Sequence, residues 1–242
     1  MAERARTVDA SVRLAARRRE RLRRRVLRLG AVIGVLVVLV AAAWLVYLSP
    51  VFAVTTVTVT GTSVLTPESV REAGKVPLGT PLARLDTGAV RSRVAQLKPV
   101  AQVAVTRSLP HTVKIAVTER TAVYALSAGT GFDLVDSAGV DFTSVPDAPK
   151  GLVVATITGD DERLRRDVAT IVTSLPQAVR DRAVLVTAKT PDSIVIDLNG
   201  GTEVVWGSAE SSSQKAQVLA ALLSVKAGVY DVSSPSHPTT KS

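Results

Sequence analysis

Three hydrophobic patterns follow one another along the chain, and each predicts a different kind of element. The first has no polar interruption: Leu29 to Leu48 is a run of twenty residues without a charge. A twenty-residue helix rises roughly 30 Å, the thickness of a bilayer's hydrocarbon core. Its six Val, five Leu and one Ile favour insertion by roughly 5 kcal/mol in sum, at about −0.3 to −0.6 kcal/mol each. Trp44 and Tyr47 lie near its far end, where amphipathic rings prefer the headgroup level. Gly30 and Gly34 make one G-x-x-x-G, a spacing that lets a second helix approach closely.

The second pattern has a period of two, broken by two short helical stretches. Val54 to Thr60 alternates and is rich in β-branched residues, which predicts a strand closed by Gly61. Thr66-Pro67-Glu68 starts a short helix with a capping hydroxyl, a proline in the first turn and an early carboxylate, and Gly74 stops it. Asp86 caps a second helix with Val90, Val94 and Leu97 on one face, ended by Pro99. Val100 to Arg107 and Thr112 to Thr118 follow as strands joined at Leu109-Pro110-His111. Strand, helix, helix, strand, strand predicts a small α+β module with helices on one face of a three-stranded sheet.

A third stretch mixes both periods. Strands are predicted at Ala122 to Leu126, Phe132 to Val135, Val140 to Thr143 and Leu152 to Ile157, with Asp136-Ser137-Ala138-Gly139 as a hairpin turn. A helix opens at Gly159-Asp160 and keeps Leu164, Val168, Ile171, Val172 and Leu175 at helical spacing. Ala183 to Ala188, Ser193 to Leu198 and Thr202 to Trp206 are strands again, the last two joined by Asn199-Gly200. Gly207-Ser208 starts a helix expected to bury Val218, Leu219, Leu222 and Leu223. Gly228 ends it, and Val229 to Ser233 is expected to be the last strand. The Pro- and Ser/Thr-rich end, 235–242, reads as disordered.

Charge changes the meaning of the first pattern. Eleven arginines precede the apolar run, and residues 1–30 carry only Glu3, Asp9 and Glu20 against them. The remaining nineteen Lys and Arg nearly balance eighteen Asp and Glu, so the overall +9 belongs to the N-terminal tail. The positive-inside rule then places the N-terminus in the cytoplasm and everything after Pro50 outside it. A polybasic stretch beside a span is drawn to anionic lipid, and without interleaved aromatics it is not a nucleic-acid element. A cleaved signal peptide ending at Val51-Phe52-Ala53 is the rival, disfavoured because the apolar run is about twice the usual 7–15 residues. The chain has no cysteine, so an extracytoplasmic domain must rely on its hydrophobic core.

No catalytic set is legible, and no cofactor or metal site. His111 falls in a turn and His237 in the tail, and the H-E-x-x-H, G-x-S-x-G and phosphate-loop patterns are missing. Ser212-Ser213-Gln214-Lys215 is formally S-x-x-K without its companion S-D-N and K-T-G elements, so its serines are expected to fill an exposed first helical turn. Asp160-Asp161-Glu162 reads as helix capping, not as a cation site. The outer region therefore looks built to bind protein, with no small-molecule substrate.

Several ordered motifs carry a resemblance. Phe52-x-Val54-x-x-Val57-x-Val59-x-Gly61 follows the span, then Gly79-x-Pro81-Leu82 and Asp86. Pro99-x-x-x-Val103-x-Val105-x-Arg107-x-x-Pro110-x-x-Val113-x-Ile115-x-Val117-x-Glu119-Arg120 comes next. Leu134-Val135-Asp136-x-x-Gly139-Val140 and Gly207-Ser208 ahead of Lys215 complete it. The chain resembles the bacterial FtsQ/DivIB family, and its Ala, Val and Arg richness is similar to that of actinobacterial members. The fold implied is α+β: a cytoplasmic tail 1–28, a transmembrane helix 29–48, a POTRA domain 52–120, a β-domain 121–234 and a disordered tail 235–242.

The resemblance also implies a function: a non-enzymatic divisome scaffold in the cell membrane at the septum. It would bind FtsB and FtsL, work with FtsW and the septal transpeptidase, and so control septal peptidoglycan synthesis. The family's partner adds a strand beside the last strand, which here corresponds to Val229, Tyr230, Asp231, Val232, Ser233 and Ser234, with Tyr230 expected as an exposed anchor. The aromatic and basic residues that proteobacterial members carry beyond it are replaced by Ser, Pro and Thr. Two other readings stand beside this one: a POTRA-containing component of polypeptide transport, which would need a C-terminal barrel, and a membrane-tethered cell-wall enzyme.

Overall fold

The computed structural model describes residues 27–242; the arginine tail and the lipid contact expected of it lie outside the described residues, Arg28 apart. Helix α1 (Leu27–Leu48) is apolar and unburied along its length, as a helix whose solvent is lipid must be. The chain gathers into two compact units: residues up to 58, α1 included, with 75–90 and 105–115, and residues 59–74 with 91–104 and 116–242.

Elements β1 (Thr56–Thr60), α2 (Pro67–Gly74), α3 (Thr87–Val94), β2 (Val100–Ser108) and β3 (Thr112–Glu119) follow in the order the sequence predicts. The sheet order is β1-β3-β2. Alternation does the local work: Val113, Ile115 and Val117 are buried while Lys114, Ala116 and Thr118 between them are exposed. Gly61 is required where β1 ends. Its φ is +82°, and a Cβ there would lie 2.0 Å from the Val117 carbonyl oxygen.

The larger unit holds a nine-stranded sheet. Its strands are β4 (Tyr124–Ala128), β5 (Gly131–Val135), β6 (Asp141–Val145), β7 (Val153–Ile157), β8 (Ala183–Ala188), β9 (Ile194–Leu198), β10 (Thr202–Gly207), β11 (Val229–Asp231) and β12 (Thr239–Lys241). In space they run β12-β11-β10-β9-β8-β7-β4-β5-β6. Helices α4 (Glu162–Ser174), the single turn α5 (Gln177–Arg180) and α6 (Ser212–Leu222) interrupt the series. Leu164, Val168, Ile171 and Val172 of α4 pack into one core with Val186, Ile194, Ile196, Val204 and Trp206. Asp161 caps α4, its Oδ1 accepting from Arg163 N (2.8 Å) and Leu164 N (3.3 Å).

The two adjacent motif residues Glu119 and Arg120 point to opposite tasks. Glu119 accepts from Ser63 Oγ (2.8 Å) and from the backbone N–H groups of Ser63, Val64 and Leu65. Arg120 donates to Asp136, a pair with side chains only 21% and 8% exposed, and to the Lys98 carbonyl at 3.1 Å. Asp136 is itself held, its Oδ1 accepting from Ala138 N and Val140 N, both at 2.9 Å. Gly139 closes that turn at φ +77°, where a Cβ would lie 2.7 Å from the backbone nitrogen of Arg166. Lys98 adds a bond to Asp141 at 3.2 Å, at the start of β6.

Helix α6 departs from expectation. Its buried stripe is Ser212, Lys215, Ala216 and Leu219, with Val218, Leu222 and Leu223 only partly buried. The serines were expected in an exposed turn; instead Ser212 is buried, accepting from Trp206 Nε1 (3.2 Å) and donating to the Ala209 carbonyl (2.7 Å). Lys215, 2% exposed, donates to the carbonyls of Trp206 (3.0 Å) and Ser208 (2.8 Å). Burial pushes its pKa down, as it must for an ammonium taken from water. The S-x-x-K spacing thus fastens the turn between β10 and α6.

Partial burial raises the pKa of Glu119, but the hydrogen bonds from Val64, Leu65 and Ser63 outweigh it and hold it from 4.5 down to about 2. A depressed carboxylate stabilises the fold fully above its unfolded pKa, and that contribution is lost as pH falls through the folded value. Acid titration followed by circular dichroism is therefore expected to show a loss of stability between pH 4.5 and about 2 that Glu119→Gln removes. An unchanged acid limb in that variant would show that other carboxylates govern it.

Candidate functional site

The six candidate residues lie at one end of the nine-stranded sheet, but not as its outermost strand. β10 and β11 run parallel, with Val204 opposite Tyr230 and Val205 opposite Asp231. A parallel neighbour requires a crossover, and α6 supplies it. Val232 continues the ladder by donating to the Val205 carbonyl at 3.0 Å. The chain then turns through Ser234 to Pro238 and returns as β12, antiparallel to β11, with Val229 opposite Lys241 and Asp231 opposite Thr239. Gly228 N also donates to the Lys241 carbonyl at 2.9 Å.

Two expectations are corrected here. The segment 235–242 is not wholly without structure, because Thr239–Lys241 pairs with β11 and takes the edge that β11 was expected to present. Tyr230 is not an exposed anchor. It is 4% exposed and belongs to the core; its hydroxyl donates to the Val225 carbonyl at 2.6 Å and accepts from Ala227 N at 3.2 Å. An alternating strand buries every second residue, and Tyr230 and Val232 share the inward face. Val229 and Asp231 are half-buried, while Ser233 and Ser234 are exposed. Asp231 Oδ1 accepts from Ser233 N (2.9 Å) and Ser233 Oγ (2.6 Å), which turns the chain away from β11.

The residues the sequence reading missed are Thr239, Thr240 and Lys241. Their signal is two β-branched residues and a lysine directly after Pro238, a composition suited to a guarded edge strand. All three are exposed. At the sheet's other end, Asp141 of β6 is engaged by Lys98. Chemically, the C-terminal end offers backbone donors and acceptors with little side-chain selectivity; among the described residues no cluster of His, Cys, Asp or Glu forms a metal site.

One apolar helix long enough to cross a membrane precedes a βααββ module and a β-rich sheet that ends in an exposed strand. Sequence comparison identifies the family. The family described as POTRA domain, FtsQ-type, matches residues 52–120, and the one described as Cell division protein FtsQ/DivIB, C-terminal, matches 125–233. A curated relative from Streptomyces bingchenggensis, Cell division protein FtsQ, is 41% identical over 92% of this chain and 89% of its own length. Its counterpart in Streptomyces coelicolor is 38% identical over 88% of each chain, and that of Mycolicibacterium smegmatis 37% identical over 90% of this chain and 65% of its own. The solved extracytoplasmic domain of DivIB from Geobacillus stearothermophilus matches at 19% identity and a TM-score of 0.36, over 45% of this chain and 99% of that one. The chain belongs to the FtsQ/DivIB family of cell-division proteins.

Because Tyr230 fills the core and satisfies two backbone groups, truncating it tests folding, not docking. Tyr230→Ala is expected to lower stability to urea by about 3–5 kcal/mol, and Tyr230→Phe by about 1–2 kcal/mol through the lost hydrogen bonds. Wild-type stability in Tyr230→Ala would refute the burial.

Proposed function

We propose that this protein is a non-enzymatic, single-span scaffold of the divisome, with its N-terminus in the cytoplasm and its folded part outside, acting at the septum. It binds FtsB and FtsL, and through them links early division proteins to FtsW and the septal transpeptidase that build septal peptidoglycan. Family membership and the apolar α1 support this reading; so does the arginine tail, through the positive-inside rule.

The observation that carries the docking reading is the way the large sheet ends. Its last strand is three exposed residues long, held by backbone pairing to β11 and by no buried side chain. A partner segment joins there by strand addition, where main-chain bonds supply affinity and alternating side chains supply specificity. Residues Val229 to Ser234 then serve as the support on which the edge is laid, with Asp231, Ser233 and Ser234 at its rim.

The cysteine-free chain allows a direct test. Single cysteines at Asp231, Thr240 and, on the opposite edge, Ser144 are each crosslinked to FtsB in cells. Crosslinks from 231 or 240 but not from 144 are expected; crosslinks from 144 alone would sink the strand-addition reading. Depletion separates the scaffold from the transport alternative: cells without septa are expected, whereas normal septation with a secretion defect would favour transport.

A further inference from the structure

Beyond its sheet edge, the chain carries a second surface whose chemistry is unexplained by docking to protein. The helix α1 ends at Leu48, and the chain has almost no slack after it. Ser49 caps the short turn Pro50–Phe52, its Oγ accepting from Val51 N at 3.3 Å. Ala53 N closes that turn on the Pro50 carbonyl at 3.0 Å. Val54 is already held from both sides of its peptide: its N–H donates to the Thr80 carbonyl and its carbonyl accepts from Gly79 N, each at 2.9 Å. Thr55 N then donates to the His111 carbonyl at 3.0 Å. The 75–81 loop and the β2–β3 turn are therefore fixed beside the chain within seven residues of the span's end.

Those two loops are apolar at their tips. Leu109 is 74% exposed and Leu78 65% exposed, and Val51 beside them is 61% exposed. A single exposed leucine needs no explanation, but all three lie within three residues of the backbone bonds that tie their loops to Val54 and Thr55, just after α1. Leu109 also lines a cavity of about 350 Å³ with Phe52, Leu82, Ala83, Arg107 and Val46. Val46 belongs to the span itself, two residues and so about 3 Å of rise from its end. Leu109 thus stands level with the last turn of α1, where Trp44 and Tyr47 also lie. The charge around this rim is one-sided. Residues 49–58, 75–90 and 105–115 contain Lys75, Arg84, Arg107 and Lys114 against Asp86 alone, and all four basic side chains are exposed. Apolar tips ringed by cations are the composition of an interfacial membrane contact with anionic headgroups.

We propose that Leu78, Leu109 and Val51 form a second membrane contact that seats the smaller unit in the outer headgroup layer, beside the span. The occupant is lipid, because the tether leaves these tips at the bilayer surface and Val46 of the span shares a cavity with one of them. The proposal rests on reading Leu27–Leu48 as a membrane span. Its consequence is that this unit is held by three points and α1, at a fixed tilt to the bilayer.

The cysteine-free chain of residues 1–242 is reconstituted into phosphatidylethanolamine–phosphatidylglycerol vesicles with an environment-sensitive fluorophore on Leu78→Cys, Leu109→Cys, Val184→Cys or Val37→Cys. Val184 is an exposed control on β8, and Val37 lies inside the span. At positions 78 and 109 the emission is expected to be blue-shifted, quenched several-fold more by headgroup-level nitroxide lipid than at 184, and protected from aqueous iodide. Iodide access at 78 and 109 equal to that at 184, with position 37 quenched by deep nitroxide, would overturn the proposal and leave these tips to a protein partner. Absence of deep quenching at position 37 would instead refute the span, and the membrane contact with it.

Discussion

Two consecutive side chains fasten separate loops within the larger unit. Glu119 gathers four hydrogen-bond donors of the 63–65 loop around one carboxylate, while Arg120 reaches forward to Asp136 and back to the Lys98 carbonyl. Arg120 directly follows the last residue of β3, so one peptide at the strand's end fastens both the loop after β1 and the β5–β6 turn. A half-buried carboxylate with four donors and a mostly buried ion pair with further backbone bonds are both satisfied networks. In such networks the low dielectric strengthens each bond instead of penalising an unpaired group. Removing Arg120 would leave the Asp136 carboxylate, 8% exposed, without its counter-charge, which is the expensive case.

A comparable economy governs the far end of the large sheet. The crossover from β10 to β11 turns on Lys215, whose ammonium replaces water with two carbonyls, and on Tyr230, whose hydroxyl closes the end of α6 through Val225 and Ala227. Both residues are polar at the tip and apolar along the stem, so each fills core volume while satisfying backbone groups. The strand they deliver is short, yet its position against β10 is determined. Its outer neighbour, β12, has no such fastening.

Period and turn chemistry made most of the architecture legible from sequence. The alternation of Val113, Ile115 and Val117 and the helical spacing of Leu164, Val168 and Ile171 survive into the structure as buried faces. The errors fall where polarity or the resemblance misleads. Ser212 read as exposed because hydroxyl groups usually are; only its bonds to the Trp206 indole and the Ala209 carbonyl make its burial favourable. Tyr230 read as exposed because the resemblance placed it on a partner-binding edge. Thr239–Lys241 was missed because composition within a Pro- and Ser-rich end outweighed two β-branched residues, and pairing with β11 supplies what local propensity does not. Assignment of the edge to β11 failed with it.

From β7 to β12 the order of strands in space is their order in the chain, while β4, β5 and β6 fold back on the other flank. From β7 onward the large sheet therefore extends in one direction, each strand pairing with the one before it in the chain. An extended segment that joined the open flank, as proposed, would pair with a strand already held by its backbone ladder to β11. The ordering cost of the next strand falls on the newcomer, at about 1–2 kcal/mol per residue fixed. The stiffness of that newcomer, for instance its emergence from a preformed helix, would then set the strength of the joint more than any residue on this side of it.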